Sequence, residues 1–217
     1  MGRKSLAKER RRQILDAYEE CILESGFAAT TLGDVAERAG CKRQLIRHYF
    51  GNREAVVRDL LSRLAGRYDR RIEERIVGTT PVEVLDSFLE SIANTVGDEE
   101  DKRDDRLFGE LFGAALTDPP LRAELQRTTE RWLAEHVEFL RWLAPDAPDE
   151  EIDATAKLCL GLNFGAGTLR TLGVIDDDPS WLCGSLRRAI DRLRDHRDGT
   201  DPSPRVATGE PDAPEST

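Results

Sequence analysis

The spacing of apolar residues along almost the whole chain has the period of an α-helix. Up to Asp195 they recur three and four residues apart, and few stretches alternate polar and apolar residues as a β-strand does. Prolines fall between the periodic segments, at Pro81, Pro119, Pro145 and Pro179, where helices begin or end. The pattern therefore predicts an all-α protein without internal repeats.

Three predicted helices open the chain, and each is followed by a glycine: Gly26, Gly40 or Gly51. Thr31 is a good N-cap for the second helix, and Asp34 makes a variant capping box with it. The predicted bounds are about 8–25, 32–39 and 42–50, followed by a long helix over 53–77. Two short helices joined by a glycine-containing turn form a helix-turn-helix, which sets its second helix in the major groove of DNA.

A second block of helices is predicted over about 80–96, 106–116, 118–142, 149–171 and 178–196. The acidic segment from Gly97 to Asp105 is predicted to be an exposed loop. From Arg197 onward Asp, Pro, Gly, Ser and Thr dominate, and there is little to bury. We therefore predict that residues 197–217 are disordered.

Charge is unevenly distributed along the sequence. The net charge is −10, but residues 1–53 hold 11 Lys and Arg against 7 Asp and Glu, a balance of +4. The rest of the chain carries −14. Such asymmetry suggests a local nucleic-acid face on an otherwise acidic body, although a merely solvated basic N-terminus would look the same by charge alone.

The third helix carries residue types that read DNA bases. Its apolar members can face the other two helices, which leaves Lys42, Arg43, Gln44 and Arg47 exposed near its N-terminal end. Arg suits the acceptor edge of guanine, and Gln suits adenine. These side chains are the predicted reading surface.

Several segments of this region fall in the order and register of a known family. They are RQILDA at 12–17, GF at 26–27, ATT at 29–31, DVAERAG at 34–40 and HYFGNRE at 48–54. Together they resemble the DNA-binding domain of the TetR family of transcriptional regulators. The resemblance implies a DNA-binding domain over 8–68, with its helix-turn-helix at 31–50. It also implies a larger helical ligand-binding and dimerisation domain over 69–196.

The resemblance also implies residue roles. Thr31, Tyr49 and Arg53 match positions that contact phosphates. The positions that match base or adjoining backbone contacts are Arg43, Gln44, Arg47 and His48. The family often has Thr-Leu-Tyr where this chain has residues 45–47, so a cation replaces an aromatic contact. The operator sequence therefore cannot be taken from a relative.

Each of these roles has a plainer alternative. Tyr49 can be mainly a core residue, His48 can be merely exposed, and Lys42 can add only general attraction. The basic arm is either a solvated tail or a non-specific phosphate contact whose binding weakens with salt. Its residues are Arg3, Lys4, Lys8, Arg10, Arg11 and Arg12.

In the larger domain, aromatic residues suggest the wall of a ligand pocket. The candidate ligand-binding residues are Phe108, Phe112, Trp132, Asn163 and Phe164. A helical stripe that includes Phe108 and Phe112 can equally be core, as can Trp132. Asn163 can be a hydrogen-bonding group in a pocket or a residue that sets dimer register.

Glycines in the helix over 149–171 suggest a close helix approach, since each costs about 1 kcal/mol in a helix interior relative to Ala. The resemblance implies a four-helix dimer seam between this helix and the last one. The candidate interface residues are Gly161, Gly165, Leu186 and Ile190. Tight packing within one subunit is the alternative.

The expected function is therefore a homodimeric repressor that a small molecule releases from a palindromic operator in double-stranded DNA. A family member that activates transcription or has no inducer stays open, as does an all-helical carrier or enzyme. No nucleophile–base pair, metal cluster or phosphate loop supports catalysis, so we expect no enzyme activity, no cofactor and no metal. Cys21, Cys41 and Cys159 are expected to be packing residues, with a thiol switch as the alternative. Without a signal peptide or membrane span, cytoplasmic location is the expectation.

Overall fold

The computed structural model describes residues 3–95, 99–176 and 178–195, and these residues form helices joined by turns. The all-α prediction is confirmed for them. The helices are α1 (Arg3–Ser25), α2 (Leu32–Arg38), α3 (Arg43–Phe50), α4 (Arg53–Arg75), α5 (Pro81–Thr95), α6 (Glu99–Ala115), α7 (Pro119–Leu143), α8 (Asp149–Thr171) and α9 (Ser180–Arg194). The predicted disordered tail and the end of the last predicted helix at 196 lie outside the described residues.

Helices α1, α2 and α3 pack around a small apolar centre. Tyr18 and Ile22 of α1 meet Val35 of α2 and Ile46 of α3, all of them fully buried. The turn between α1 and α2 contains Gly26, whose φ of 80° is the left-handed conformation expected of a helix-ending glycine. Helix α1 begins at Arg3, earlier than predicted, so much of the basic arm is helical.

The acidic segment predicted as an exposed loop is largely the start of a helix. Residues 99–105 form the first two turns of α6, and Asp101 and Asp104 are buried. The prediction was wrong because it treated these carboxylates as solvated. In the structure they are paired with arginines of α4, which offsets the cost of burying them.

Those arginines are spaced four residues apart on one face of α4, and we call Arg63, Arg67, Arg71 and Arg75 the arginine ladder. Among the described residues, Glu19 and Asp16 of α1 and Asp101 and Asp104 of α6 pair with these arginines.

Arg67 is the central rung of the ladder. Its guanidinium lies 2.8 Å from Glu19 and 2.5 Å from Asp104, and both carboxylates are 2% exposed. Because one cation satisfies carboxylates from both neighbours, α1, α4 and α6 are held as one unit. The predicted domain division at residue 68 falls within this continuous α4.

A second apolar cluster joins α5, α7, α8 and α9. It contains Leu85, Leu140 and Ile152 together with Leu186 and Ile190 of α9. Leu186 and Ile190 are 1% and 0% exposed within the single chain, so they are core residues and offer no surface to a second copy. Their placement at a dimer interface is therefore corrected. The α9 face turned to solvent instead carries residues such as Trp181 and Arg188.

The arginine ladder predicts a large stability difference between two arginines of α4. Arg67→Met removes the cation that Glu19 and Asp104 share but leaves their pairs with Arg63, Arg103 and Arg71. The free energy of unfolding should therefore fall by about 2 kcal/mol, less than for a buried charge left without any partner. Arg58→Met removes an exposed pair with Glu124 and should cost less than about 1 kcal/mol. Urea unfolding of both variants measures the two values. Equal, small losses would show that the ladder does not hold the helices together.

Candidate nucleic-acid interface and cavity

Helix α3 exposes the face that the sequence predicted for base reading. Lys42, Arg43, Gln44 and Arg47 are all exposed, and Ile46 and Phe50 are buried on the opposite side. Lys42 caps the helix without a side-chain hydrogen bond. The side chains of the reading surface thus project from a short helix whose other face is fixed in the core.

Thr31 is the N-cap of α2, as predicted. Its hydroxyl oxygen accepts from the N–H groups of Gly33 and Asp34 at 3.1 Å and 3.3 Å, and the Asp34 carboxylate accepts from the Thr31 N–H at 2.8 Å. The capping box therefore already satisfies most donors of this helix N-terminus. What Thr31 can offer a phosphate is its hydroxyl proton rather than an open set of backbone N–H groups.

Tyr49 and His48 lie side by side at the C-terminal end of α3. Tyr49 is half-buried against the core, His48 is exposed, and their ring centroids are 5.2 Å apart. Tyr49 is thus positioned partly as a packing residue, with one ring edge toward the surface that carries His48.

Arg53 opens α4 but is engaged with the body of the protein. Its guanidinium lies 4.5 Å from the centroid of the Phe27 ring, donates to the Phe27 carbonyl at 3.4 Å, and lies 3.5 Å from the Asp118 carboxylate at the start of α7. A phosphate contact by Arg53 would compete with Asp118. The predicted anchor is therefore also a link between the α1–α2 turn and α7.

Arg11 is a residue whose role the sequence did not single out. Its guanidinium donates to the Tyr49 carbonyl in the last turn of α3, pairs with Asp59 of α4, and lies 4.3 Å from the centroid of the Phe50 ring. A cation at a helix C-terminus is favoured by the helix dipole. Arg11 thus fixes the C-terminal end of α3, and the basic run in the sequence gave no signal to separate it from its neighbours.

Its neighbour Arg12 belongs to a different environment. It pairs with Glu9 at 2.7 Å and with Asp16 at 3.2 Å along the surface of α1. Arg11 and Arg12 are therefore not part of an unpaired solvated tail, and a non-specific phosphate contact by the basic arm stays a prediction.

A second candidate site is a cavity of about 680 Å³ that is open to solvent on one side and lined mainly by α4, α6, α7 and α8. This volume is typical of small-molecule sites. All five candidate ligand-binding residues line it, namely Phe108, Phe112, Trp132, Asn163 and Phe164. Sequence reasoning had no evidence that residues this far apart in the chain meet at one cavity.

The aromatic residues of the cavity form a connected group. The Tyr68 and Trp132 ring centroids are 5.1 Å apart, those of Phe108 and Trp132 are 5.7 Å apart, and those of Phe112 and Phe164 are 5.1 Å apart. Separations in this range are typical of attractive ring pairs. The rings therefore support one another and give the cavity a preformed apolar wall.

Polar groups line the same cavity. Asn163 donates to the Tyr68 hydroxyl at 3.2 Å, and burial raises the pKa of Tyr68 to about 12. Burial also raises the pKa of Asp105 to about 6, which the nearby Arg170 only partly opposes. Sequence reasoning missed Tyr68 and Asp105. The spacing of Asp105, Phe108 and Phe112 on one face of α6 was the available signal, and it was obscured by the predicted loop.

Two cavity carboxylates are connected to the N-terminal helices, one through Arg67 and one directly. Asp104 lines the cavity and pairs with Arg67, which in turn pairs with Glu19 of α1. Glu110 lines the cavity and accepts from the Phe27 N–H, in the turn before α2, at 3.3 Å. A change in the position of α6 would therefore act directly on α1 and on the start of the helix-turn-helix.

The predicted interface glycines lie on the open side of α8. A Cβ added at Gly161 or Gly165 would meet no atom within 4 Å, so neither glycine serves tight packing within the chain. They share a helix face with Leu158 and Leu169, which are 48% and 38% exposed. Gly165 also lies at the cavity rim.

The thiols are in packing environments. Cys21 and Cys159 are buried, and burial raises the pKa of Cys159 to about 11. Cys41 and Cys183 are half-buried, and burial raises the pKa of Cys183 as well. At neutral pH Cys159 and Cys183 are therefore protonated thiols with low nucleophilicity.

The fold and the exposed face of α3 define a helix-turn-helix protein with a larger helical body. The family model for bacterial regulatory proteins of the tetR family matches residues 14–60. The HTH-type transcriptional regulator Rv1255c of Mycobacterium tuberculosis is 32% identical over 146 residues, 67% of this chain and 67% of that protein. The HTH-type transcriptional regulator BetI of Escherichia coli K12 is 30% identical over 160 residues, 70% of this chain and 80% of that protein.

The similarity extends to the fold of the helical body. A solved TetR-family structure from Rhodococcus sp. has a TM-score of 0.71 and 23% identity, and it covers 86% of this chain and 99% of that chain. The chain belongs to the TetR family and is a DNA-binding transcriptional regulator, not an enzyme. In the part of the chain that the structure describes, the helices are too short or too polar to span a membrane.

The capping box predicts a specific loss on substitution of Thr31. Thr31→Ala removes the acceptor for two N–H groups and should lower the free energy of unfolding by about 1 kcal/mol. Thr31→Ser keeps the hydroxyl oxygen and should cost only a small part of that. Urea unfolding of the two variants tests this. A loss in the Ser variant as large as in the Ala variant would assign the effect to the methyl group instead.

Proposed function

We propose that this regulator is a homodimeric repressor that binds a palindromic operator. A small molecule held in the cavity between α4, α6, α7 and α8 would release it from that operator. The observation that carries the proposal is the sharing of cavity residues with the N-terminal helices. Asp104 and Glu110 line the cavity and also contact, through Arg67 or directly, α1 and the turn before α2. A ligand that moves α6 would thereby change the orientation of the reading helix.

The DNA side of the proposal assigns sequence reading to Arg43, Gln44 and Arg47, with general attraction from Lys42 and His48. Thr31 and Tyr49 are proposed phosphate contacts, together with Arg53 when it leaves Asp118. Base-edge contacts supply specificity, and phosphate contacts fix the register of the protein on the duplex.

The dimer side of the proposal rests on an exposed stripe of α8. Leu158, Gly161, Gly165 and Leu169 recur at helical spacing, and the glycines leave room for a second helix to approach closely. Helix α9 would add its exposed Trp181 rather than the buried leucine and isoleucine predicted from sequence. A two-fold pair of reading helices then matches a two-fold operator.

The reading surface is tested by Arg43→Ala combined with Gln44→Ala. Both side chains are exposed, so the fold should persist, and each base-edge contact is worth about 1–3 kcal/mol. Mobility shift on the DNA flanking the gene should show affinity lower by about two orders of magnitude. The matched control is Gln126→Ala combined with Arg127→Ala, at two exposed residues of α7. This variant should bind the DNA like wild type. If the α3 variant binds that DNA as well as wild type, the assigned reading surface is wrong.

The dimer surface is tested by Leu158→Glu combined with Leu169→Glu. Burying two unpaired carboxylates in an interface costs about 4 kcal/mol or more, so sedimentation velocity should show a monomer where wild type is a dimer. Operator affinity should fall with it. Val82→Glu, at a residue of α5 with the same 48% exposure as Leu158, is the control and should leave the dimer intact. If the double variant is still a dimer, the interface does not lie on this stripe of α8.

A further inference from the structure

The chemical class of the cavity ligand can be inferred from the charges on its wall. Arg71 and Asp104 both line the cavity, but they pair with each other at 2.9 Å, and Arg71 also pairs with Asp101 at 2.7 Å. Arg71 belongs to the arginine ladder, and these pairs already compensate its charge and that of Asp104. Asp105 is different, since it is 3.4 Å from Arg170 and its side chain is 44% exposed.

The position of the Asp105 carboxylate is set by the neighbouring helix. A Cβ added at Gly167 of α8 would lie 3.3 Å from the Asp105 Oδ2 atom, so the absence of a side chain at Gly167 gives this carboxylate room beside the α8 backbone. On α6, Asp105 shares a face with Phe108 and Phe112 at spacings of three and seven residues. A carboxylate and aromatic rings therefore line the same cavity.

Both kinds of group favour a positive charge. The faces of aromatic rings carry negative electrostatic potential and attract organic cations. Desolvation by the surrounding protein raises the pKa of the partly exposed Asp105 to about 6, and the neighbouring carboxylates Asp101 and Asp104 act in the same direction. Glu110 adds a further carboxylate and Arg106 a cation to the wall, and both are exposed residues, as is Asp105.

We propose that the cavity binds an organic cation with a bulky apolar body, whose charge lies between the Asp105 carboxylate and the aromatic rings. The proposal rests on the cavity being the effector site of the repressor. Its chemistry is that of an amine, a quaternary ammonium or a phosphonium ion. Binding would replace the long contact to Arg170 by a shorter ion pair beside the aromatic rings.

The probes for the test are tetraphenylphosphonium and tetraphenylborate, which have the same shape and opposite charge. Isothermal titration calorimetry on the full chain at pH 7.5 should show binding of the cation and little binding of the anion. Asp105→Asn should weaken cation binding about tenfold or more, the scale of a lost contact to a charged group. Glu99→Gln, an exposed carboxylate on the same helix, is the control and should change nothing.

Two further measurements locate the site. A Cβ added at Gly113, on the cavity wall, would meet open space, so Gly113→Leu should fold and block the phosphonium. Gly66→Leu is the control, because a Cβ at Gly66 is equally unobstructed but lies outside the cavity, and this variant should still bind the phosphonium. The phosphonium does not titrate, so its affinity for wild type should fall from pH 7 to pH 5 as Asp105 protonates, and the fall should be absent in Asp105→Asn. The charges facing Asp105 are Arg170, Arg71, Asp101 and Asp104.

The outcomes separate the two proposals. Equal or tighter binding of tetraphenylborate, binding of neither probe, or phosphonium binding that is unaffected by Asp105→Asn overturns the cation assignment. If the phosphonium binds as described but leaves the operator complex intact in a mobility shift, the assignment of a cation site stands and the proposed release by a ligand in this cavity fails.

Discussion

The meeting of Glu19, Arg67 and Asp104 is the interaction on which the arrangement of helices depends. Two carboxylates from α1 and α6 are almost completely buried, and such burial is tolerable only when a cation is supplied in the right geometry. Arg67 provides that cation from α4 and contacts both carboxylates. The N-terminal helices and the helical body are therefore joined by a buried ionic contact as well as by apolar packing.

The same ionic contact connects the wall of the cavity to α1. The helices that the arginine ladder joins include α4 and α6, which form part of the cavity wall, and Asp104 contributes to both. A ligand that changes the spacing of these helices would have to move charged groups that are paired with α1. Packed interfaces of this kind shift between discrete arrangements rather than deform continuously, which suits a switch.

The orientation of α3 in the helix-turn-helix also depends on contacts with residues distant in the sequence. Helix α3 has eight residues. Its Ile46 and Phe50 side chains are buried in the core, and Arg11 of α1 contacts its C-terminal end. Isolated helices of this length are unstable in water, so the orientation of Arg43 and Gln44 comes from tertiary contacts. Arg53 connects the same unit to Asp118 at the start of α7, so the helix-turn-helix also has an ionic contact with the helical body.

Local sequence determined the helical class, most helix bounds, the cap at Thr31 and the exposed face of α3, because helical periodicity and capping depend on residues only a few positions apart. It failed at residues 99–105, where an acidic run resembles a solvated loop unless its distant arginine partners are known. Only the tertiary structure showed that Leu186 and Ile190 are core, that Arg53 meets Asp118, and that Tyr68 and Asp105 line a cavity with Phe164. Each of these contacts joins residues far apart in the chain, and a side chain's partners across helices are not encoded in its local pattern.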